Sequence, residues 1–234
     1  MKLATTAVLA LLAMAAAAHA DSVDMRFTGI GAGRAVAVRI NGIQHNLHAG
    51  QLNHEILSRS GPTAPNLGAL ATYCVDFHEY VSSHSQTYQV ARLTDAPVTS
   101  GNNGMAQHQA DAIGRLYTYA NGQQYGIDNN FAAAFQLAIW EVVADMTTES
   151  STLSMASGTF RASNLNAGTT SYLNTLLGVA TNLSIAPMVT VRALTNDGAQ
   201  DQLFESVVIP LPGAAGLATV GLAGVCFSNR RRRV

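Results

Sequence analysis

Cys74 and Gln136 are the two residues of this chain whose side chains could react with each other. The cysteine lies in the segment Tyr73-Cys-Val-Asp-Phe77, and the glutamine lies in Phe135-Gln-Leu-Ala-Ile-Trp140. A cysteine thiolate can attack the carboxamide of a glutamine, expel ammonia and leave an activated acyl group, which is the nucleophilic chemistry of covalent catalysis. The product would be an intramolecular thioester, a stored electrophile that an outside nucleophile can open.

Cysteine usage gives this chemistry a second indication. The chain has two cysteines, and Cys226 lies in an apolar tail near the C-terminus, so Cys74 is alone in the rest of the protein. An odd cysteine in an exported protein indicates an intermolecular disulfide or a thiol with its own chemistry. A buried, inert cysteine that behaves as a small hydrophobic residue is the ordinary alternative, and the count alone leaves it open.

The N-terminus has the pattern of an export signal. Residues 1–20 begin with Met-Lys, continue with an apolar run over 4–17 and end with Ala18-His19-Ala20. That ending has the small-x-small form that a signal peptidase accepts. We therefore expect a signal peptide over 1–20 and Asp21 as the mature N-terminus.

Residues 209–234 form a second targeting pattern. An apolar run over 214–227 is shorter than the roughly 20 residues that cross a bilayer comfortably, so a transmembrane helix here would anchor only marginally. A basic cluster after it would stay on the cytoplasmic side. The motif before the run is Pro210, Leu211 and Pro212, and the basic cluster after it is Arg230, Arg231, Arg232 and Arg233.

The remainder of the chain, 21–208, is long enough for one domain with a sizeable core.

This tripartite end resembles the PEP-CTERM sorting signal, which exosortase-type membrane enzymes of Gram-negative bacteria process. Pro-Leu-Pro stands here where the commoner form of that signal has Pro-Glu-Pro. The resemblance implies an exported protein of the outer cell surface, extracellular matrix or biofilm. It also implies a transient contact with the inner membrane through the tail, and a plain C-terminal membrane anchor is the alternative.

Charge excludes one class of partner. Charged residues make up 12% of the chain, the formal net charge is -1, and the only basic cluster belongs to the tail. A nucleic-acid-binding domain needs a basic patch on its folded surface. We therefore expect no nucleic-acid partner.

The N-terminal half of the domain is predicted to be strand-rich. Asn41-Gly42 between two alternating runs is a strong hairpin signal, so residues 24–48 should form a hairpin. An irregular connection is predicted over 52–71, and a strand over 72–81. On a regular strand, Cys74, Asp76 and His78 would share one face.

Helices are predicted farther along the chain. Apolar residues recur at helical spacing over 106–120 and again over 131–143, after N-cap candidates at 128–130. Gln136 lies at the flank of the second apolar stripe, beside Trp140 one turn later. A loop-like stretch over 146–170, a short helix over 170–180 and strands over 188–194 and 202–208 follow. The fold class is α+β: an antiparallel β-sandwich or barrel-like sheet, with a helical insertion between the cysteine strand and the C-terminal strands.

Both reactive segments resemble the motifs of bacterial surface thioester domains, the TQXA-type adhesins. The glutamine motif of that family reads Thr-Gln-x-Ala-Ile-Trp, and this chain matches it from Gln136 to Trp140, with Phe135 in place of the threonine. Tyr73-Cys-Val-Asp76 fits the cysteine motif. The likeness spans roughly 24–208, and only the two motifs are specific.

The resemblance implies a Cys74–Gln136 thioester that captures an amine or a hydroxyl covalently. That nucleophile would belong to a surface or matrix protein or polysaccharide, and its capture would serve adhesion or matrix attachment. Such a protein modifies itself once and is not an enzyme, and it needs no cofactor. Supporting roles are available for Asp76 and His78 in proton transfer and for the Trp140 indole as an oxyanion donor. All three could equally be structural residues.

Three other functions are compatible with parts of the sequence. His45-x-x-His48 could contribute to a metal site, but no further ligand pair supports it, and we expect none. Cys74 could be the nucleophile of a cysteine hydrolase with a distant histidine as base, but the usual local signature is missing. The third alternative is a non-catalytic structural surface or matrix protein in which Cys74 and Gln136 are inert.

Overall fold

A long β-hairpin forms the frame of the fold. The computed structural model describes residues 20–97, 104–121 and 128–206. Within them, β1 (Ser22–Ile40) pairs antiparallel with β2 (Ile43–Ser60). The turn residues Asn41 and Gly42 have φ values of 49° and 84°, and two successive positive φ angles are what a type I′ turn requires. The predicted hairpin is confirmed.

The irregular connection predicted over 52–71 is wrong for most of its length. β2 continues to Ser60, because Leu52, His54 and Ile56 alternate with more exposed residues and point into the interior. The next strand begins at Gly68, so the irregular connection is confined to 61–67.

Five shorter strands complete an antiparallel, ring-like sheet. They are β3 (Gly68–Cys74), β4 (Gln86–Ala91), β5 (Phe160–Ser163), β6 (Val191–Thr195) and β7 (Gln202–Glu205). The strand order is β2-β3-β7-β6-β4-β1-β5, and β1 also pairs with β2. The β1–β2 pairing closes a ring of six strands, and β5 extends from β1 outside that ring. Together with the helices, this confirms the α+β class and the antiparallel sheet.

Three α-helices and one 3₁₀ turn at Leu93–Asp95 accompany the sheet. The helices are α1 (Gln107–Asn121), α2 (Asn129–Asp145) and α3 (Ala167–Thr181), close to the predicted positions. Asp128 caps α2, and its side chain accepts a hydrogen bond from the Asn130 N–H. The stretch predicted to be loop over 146–170 also contains β5, a strand that the sequence pattern does not reveal.

Helix α2 is buried on all sides rather than along one stripe. Every residue from Phe131 to Val142 is buried, because α2 contacts β1, β2 and β5 as well as α1 and α3. Gln136, at the flank of the predicted apolar stripe, is therefore buried as well. Its side chain is 1% exposed, inside the main core.

The strand predicted over 72–81 ends early, at Cys74. Val75 donates its N–H to the Asp201 carbonyl, and the Asp76 carboxylate accepts the N–H of His78 at 2.7 Å. An aspartate that accepts the N–H two residues later forms a turn, which bends the chain out of the sheet. The prediction that Cys74, Asp76 and His78 share one face of a strand is therefore wrong.

The predicted signal peptide and sorting tail lie outside the described residues. The structure does not describe residues 1–19 or 207–234, which include Pro210, Leu211, Pro212 and Arg230 to Arg233. Among the helices that it does describe, none is both long and apolar enough to cross a membrane.

Candidate functional site

The side chain of Gln136 lies against the backbone of Cys74. Its Oε1 accepts a hydrogen bond from the Cys74 N–H at 2.9 Å, and its Nε2 donates to the Cys74 carbonyl at 2.6 Å. Helix α2 and the end of β3 thus bring together two residues that are 62 positions apart in sequence. The two bonds fix the orientation of the carboxamide, because its oxygen meets an N–H donor and its NH₂ group meets a carbonyl acceptor.

The sulfur of Cys74 has two polar neighbours. Trp140, one helical turn after Gln136, donates its Nε1–H to Sγ at 3.3 Å. The thiol donates to the Asp76 carbonyl at 2.7 Å. In the wall around these atoms, the Trp140 ring packs edge-on against Phe160, with centroids 5.9 Å apart. The Trp140 indole therefore donates to the Cys74 sulfur and not to the Gln136 amide oxygen.

Burial controls the protonation of this thiol. Cys74 is 2% exposed, and loss of hydration raises the pKa of its thiol well above the usual range. The Trp140 hydrogen bond opposes this increase, while the nearby carboxylates of Asp76 and Asp201 add to it. The resting sulfur is therefore a protonated thiol.

Asp76 and His78 lie close to the cysteine in different ways. The carboxyl group of Asp76 is buried, and this burial raises its pKa. Its contact with the cysteine is through its backbone carbonyl, while its Oδ1 accepts from the His78 N–H. His78 is exposed, and its ring stacks against Phe77 with centroids 4.6 Å apart. Neither side chain forms a hydrogen bond to the Cys74 sulfur.

Phe135, which stands where the resembled motif has threonine, belongs to the core. Its ring is fully buried and packs against Tyr73 at 4.7 Å and Tyr117 at 5.1 Å, between ring centroids. Phe135 thus completes an aromatic cluster beside Cys74 and Gln136. This packing holds helix α2 against β3.

Gln200 is a site residue that sequence reasoning missed. Its Nε2 donates to the carbonyls of Asp76 and Glu79, both at 2.9 Å, and its N–H donates to the Tyr80 carbonyl at 3.2 Å. It therefore holds the segment after β3 in place, including the carbonyl that accepts the Cys74 thiol. No sequence pattern marks it, because the two carbonyls that its side chain binds are 124 and 121 positions away along the chain.

A cavity of about 300 Å³ leads to the reactive pair. Cys74, Gln136 and Trp140 form part of its lining, and the exposed side chains of Ile43 and Tyr80 lie at its rim. The walls combine apolar side chains with polar ones, and the polar members are Asn41, His45, His48, His78, Glu79 and Gln200. A small nucleophile, or the end of a longer one, can reach the buried pair by this route.

The histidine pair raised as a metal site does not assemble a ligand set. His45 and His48 both line the cavity, but the described part of the chain holds no group of three or more histidine, cysteine, aspartate or glutamate side chains that could bind a metal ion.

Comparison of the chain with known protein families, with curated proteins and with solved structures finds no match.

Proposed function

We propose that this is an exported surface or matrix protein that captures a nucleophile covalently through a thioester between Cys74 and Gln136. The observation that carries the proposal is the paired hydrogen bond between the Gln136 carboxamide and the Cys74 backbone. It holds the amide against the residue that bears the nucleophile, so the reaction becomes intramolecular. Correct placement of two reacting groups can supply effective molarities of about 10⁵–10⁸ M.

The hydrogen bonds around the pair suit each step of bond formation. As the sulfur attacks the Gln136 side-chain carbon, the amide oxygen gains negative charge, and the Cys74 N–H already donates to that oxygen. The Trp140 indole stabilises charge on the sulfur while the thiol loses its proton. The C–S bond forms, the C–N bond breaks, and the thiol proton leaves on the amide nitrogen as ammonia.

Capture then consumes the stored electrophile. An amine or a hydroxyl enters through the cavity and attacks the thioester carbon. The C–S bond breaks, the proton of the nucleophile returns to the sulfur, and an amide or ester links Gln136 to the target. Burial keeps bulk water from the thioester before the target arrives. The protein acts once and is not a turnover enzyme.

We also propose a barrel-like sheet with a helical insertion, and removal of both ends of the chain during export. The ring-like sheet would be the barrel-like part of a thioester-type domain over 21–208, and the helices would be its insertion between the cysteine strand and the C-terminal strands. The signal peptide would be removed before Asp21, and an exosortase-type enzyme would remove the tail beyond the Pro210-Leu-Pro212 motif. Terminal sequencing of the exported protein tests this, and recovery of Arg230 to Val234 would contradict it.

An alternative function is that of a non-covalent structural surface or matrix protein. It is favoured by one observation: the thiol donates to the Asp76 carbonyl, so every polar atom of the reactive pair has a partner without a covalent bond. In that case the Gln136 hydrogen bonds only join α2 to β3.

Labelling with a small amine separates the two functions. Incubation of the domain with methylamine should add it to Gln136, and peptide mass mapping should locate the adduct. Gln136→Ala should abolish the adduct and leave a titratable Cys74 thiol. An adduct that survives Gln136→Ala would eliminate Gln136 as the acyl donor, and a wild-type domain without any adduct would favour the structural alternative.

A further inference from the structure

Two arginines face each other on the outside of the sheet, away from the reactive cavity. Arg39 of β1 pairs directly with Arg161 of β5 in the antiparallel register. Side chains at directly opposed positions share one face, with Cβ atoms about 5 Å apart, and like charges there destabilise the sheet. Both residues are exposed. This surface therefore keeps a positive pair at an energetic cost.

No carboxylate neutralises this pair in the part of the chain that the structure describes. Two other arginines have acidic partners, since Arg26 pairs with Glu55 at 2.6 Å and Arg92 pairs with Asp95 at 2.9 Å. Arg161 instead donates its Nε–H to the Gly158 carbonyl at 3.1 Å, and neither Arg39 nor Arg161 forms an ion pair with any described residue.

Asp145 is the acidic residue that contacts the start of β5. Its two carboxylate oxygens accept the N–H groups of Thr159 at 2.7 Å and Phe160 at 2.9 Å. The carboxylate is thus bound to the backbone, and the arginine pair remains available to an external anion.

Uncharged polar side chains extend the same face. Gln44 of β2 is the register partner of Arg39 on its other side, so a glutamine and two arginines form one row across β5, β1 and β2. The next row contains Ser163, Ala37 and Asn46. Gln44, Asn46 and Ser163 are exposed, and each can both donate and accept hydrogen bonds.

We propose that this outer face of β5, β1 and β2 binds an acidic saccharide, with a carboxylate held between Arg39 and Arg161. Guanidinium groups bind carboxylates through two parallel hydrogen bonds, and a ligand anion would relieve the repulsion between the two cations. The amide and hydroxyl side chains of the two rows match the hydroxyl groups of the sugar rings. Two depressions of about 370 and 450 Å³ flank the pair, and both arginines line both of them.

The surface lies next to the reactive cavity but does not depend on its chemistry. Asn41, at the hairpin turn, lines both the 370 Å³ depression and the cavity that contains Cys74. Residues of the hairpin alternate between the two faces, so Ile43 and His45 line the cavity while Gln44 and Asn46 lie outside. A polymer bound outside would lie beside the mouth of the cavity.

Titration calorimetry with a tetrameric oligogalacturonate tests the proposal. The protein carries Cys74→Ala, so that covalent capture cannot contribute to the signal. We expect reversible binding that weakens several-fold when the salt concentration rises from about 50 to about 500 mM. The double variant Arg39→Gln/Arg161→Gln should lose at least about 10-fold in affinity, since both charge-assisted contacts are removed. The matched control Arg26→Gln/Arg92→Gln has the same net charge and should stay within about twofold of the parent.

A single charge reversal provides an independent readout. Arg39→Glu replaces the repulsion by a cross-strand ion pair, so the melting temperature should rise by about 1–3 °C while the oligogalacturonate affinity falls. The methyl-esterified oligomer should not bind. Three results would overturn the proposal: no binding of the oligogalacturonate, equal binding by the Arg39→Gln/Arg161→Gln variant, or equally tight binding of an oligothymidylate of the same charge.

Discussion

The carboxamide of Gln136 spans the backbone N–H and the carbonyl of Cys74, with hydrogen bonds of 2.9 and 2.6 Å. The proposed thioester reaction makes a specific chemical demand on the residues around this carboxamide. One donor must remain on the amide oxygen as charge develops there, and a second must stabilise the sulfur as it loses its proton. The Cys74 N–H and the Trp140 indole meet these two requirements.

Trp140→Phe should slow formation of the thioester without preventing folding. The substitution removes the Nε1–H that donates to the sulfur and keeps an aromatic ring in the core. Loss of a hydrogen bond to a charged group costs about 1.5 kcal/mol, which is about a 10-fold lower rate. The rate is measured by mass spectrometry, as the loss of ammonia when protein isolated unfolded from inclusion bodies, with Gln136 still an amide, is refolded.

Phe160→Leu is the control for that experiment. It removes the ring that packs edge-on against Trp140 but leaves the indole N–H in place. It should lower the melting temperature and leave the rate of thioester formation nearly unchanged. Equal rates for Trp140→Phe and wild type would show that the indole has no role in the reaction.

Gln200→Leu should expose the cysteine. The variant removes the two hydrogen bonds to the carbonyls of Asp76 and Glu79, so the segment after β3 should open more often. In a Gln136→Ala background, where the thiol is free, a thiol reagent should modify Cys74 about 10-fold faster, as expected for the loss of about 1.4 kcal/mol of closing free energy. Gln89→Leu, at an exposed position of β4, should leave the rate unchanged.

His54 should make the fold less stable in acid. Its ring is 2% exposed, and burial lowers its pKa to about 4. Below about pH 6.5 the unfolded chain takes up a proton that the folded chain does not, so the contribution of His54 to stability falls with falling pH. Between pH 7 and pH 5 the wild type should lose about 2 kcal/mol of unfolding free energy relative to His54→Gln. Urea denaturation at both pH values measures this difference.

The control for His54 is His84→Gln, because the His84 side chain is exposed. Its stability should follow that of the wild type at both pH values. If His54→Gln and the wild type respond to pH identically, His54 binds its proton equally well in the folded and unfolded chains, and the lowered pKa assigned to it is wrong.

Glu141 should have the opposite effect. Burial raises the pKa of its carboxyl group to about 7, while its Oε1 accepts the N–H of Ser154 at 2.7 Å. Between about pH 4.5 and pH 7 the folded chain holds a proton that the unfolded chain releases, so the contribution to stability grows as the pH falls. Relative to Glu141→Gln, the wild type should gain about 2 kcal/mol between pH 7 and pH 5. The two effects nearly cancel in the wild type, so only the comparison of variants reveals them.

Local sequence signals predicted those parts of the fold that depend on neighbouring residues. The Asn41-Gly42 turn, the Asp128 cap and the spacing of apolar residues in α2 each produced the expected element. The sequence also singled out Cys74 and Gln136, through a lone cysteine and the Gln-x-Ala-Ile-Trp segment, and the structure places these two residues in contact. The paired hydrogen bond between them was not predictable, because it needs α2 to lie against the end of β3.

Long-range contacts account for the predictions that were wrong. β3 ends at Cys74 because the chain turns at Asp76, and Gln200, which holds this turn through the Asp76 carbonyl, is 124 positions away along the chain. Gln136 is buried because α3 and the hairpin cover α2 from both sides. Gln200 was missed for the same reason, since its role depends on carbonyls of a distant turn. A single sequence contains no signal for such pairings.

Intact mass shows whether the thioester between Cys74 and Gln136 forms. Closing the thioester expels one ammonia, so the freshly purified domain, kept free of amines, should be lighter than its sequence mass by about 17 Da. Its Cys74 should resist iodoacetamide until hydroxylamine releases the thiol, and Cys74→Ala should show no loss of ammonia. A native domain with the full sequence mass and a Cys74 thiol that alkylates at once on unfolding, without hydroxylamine, would contradict the account.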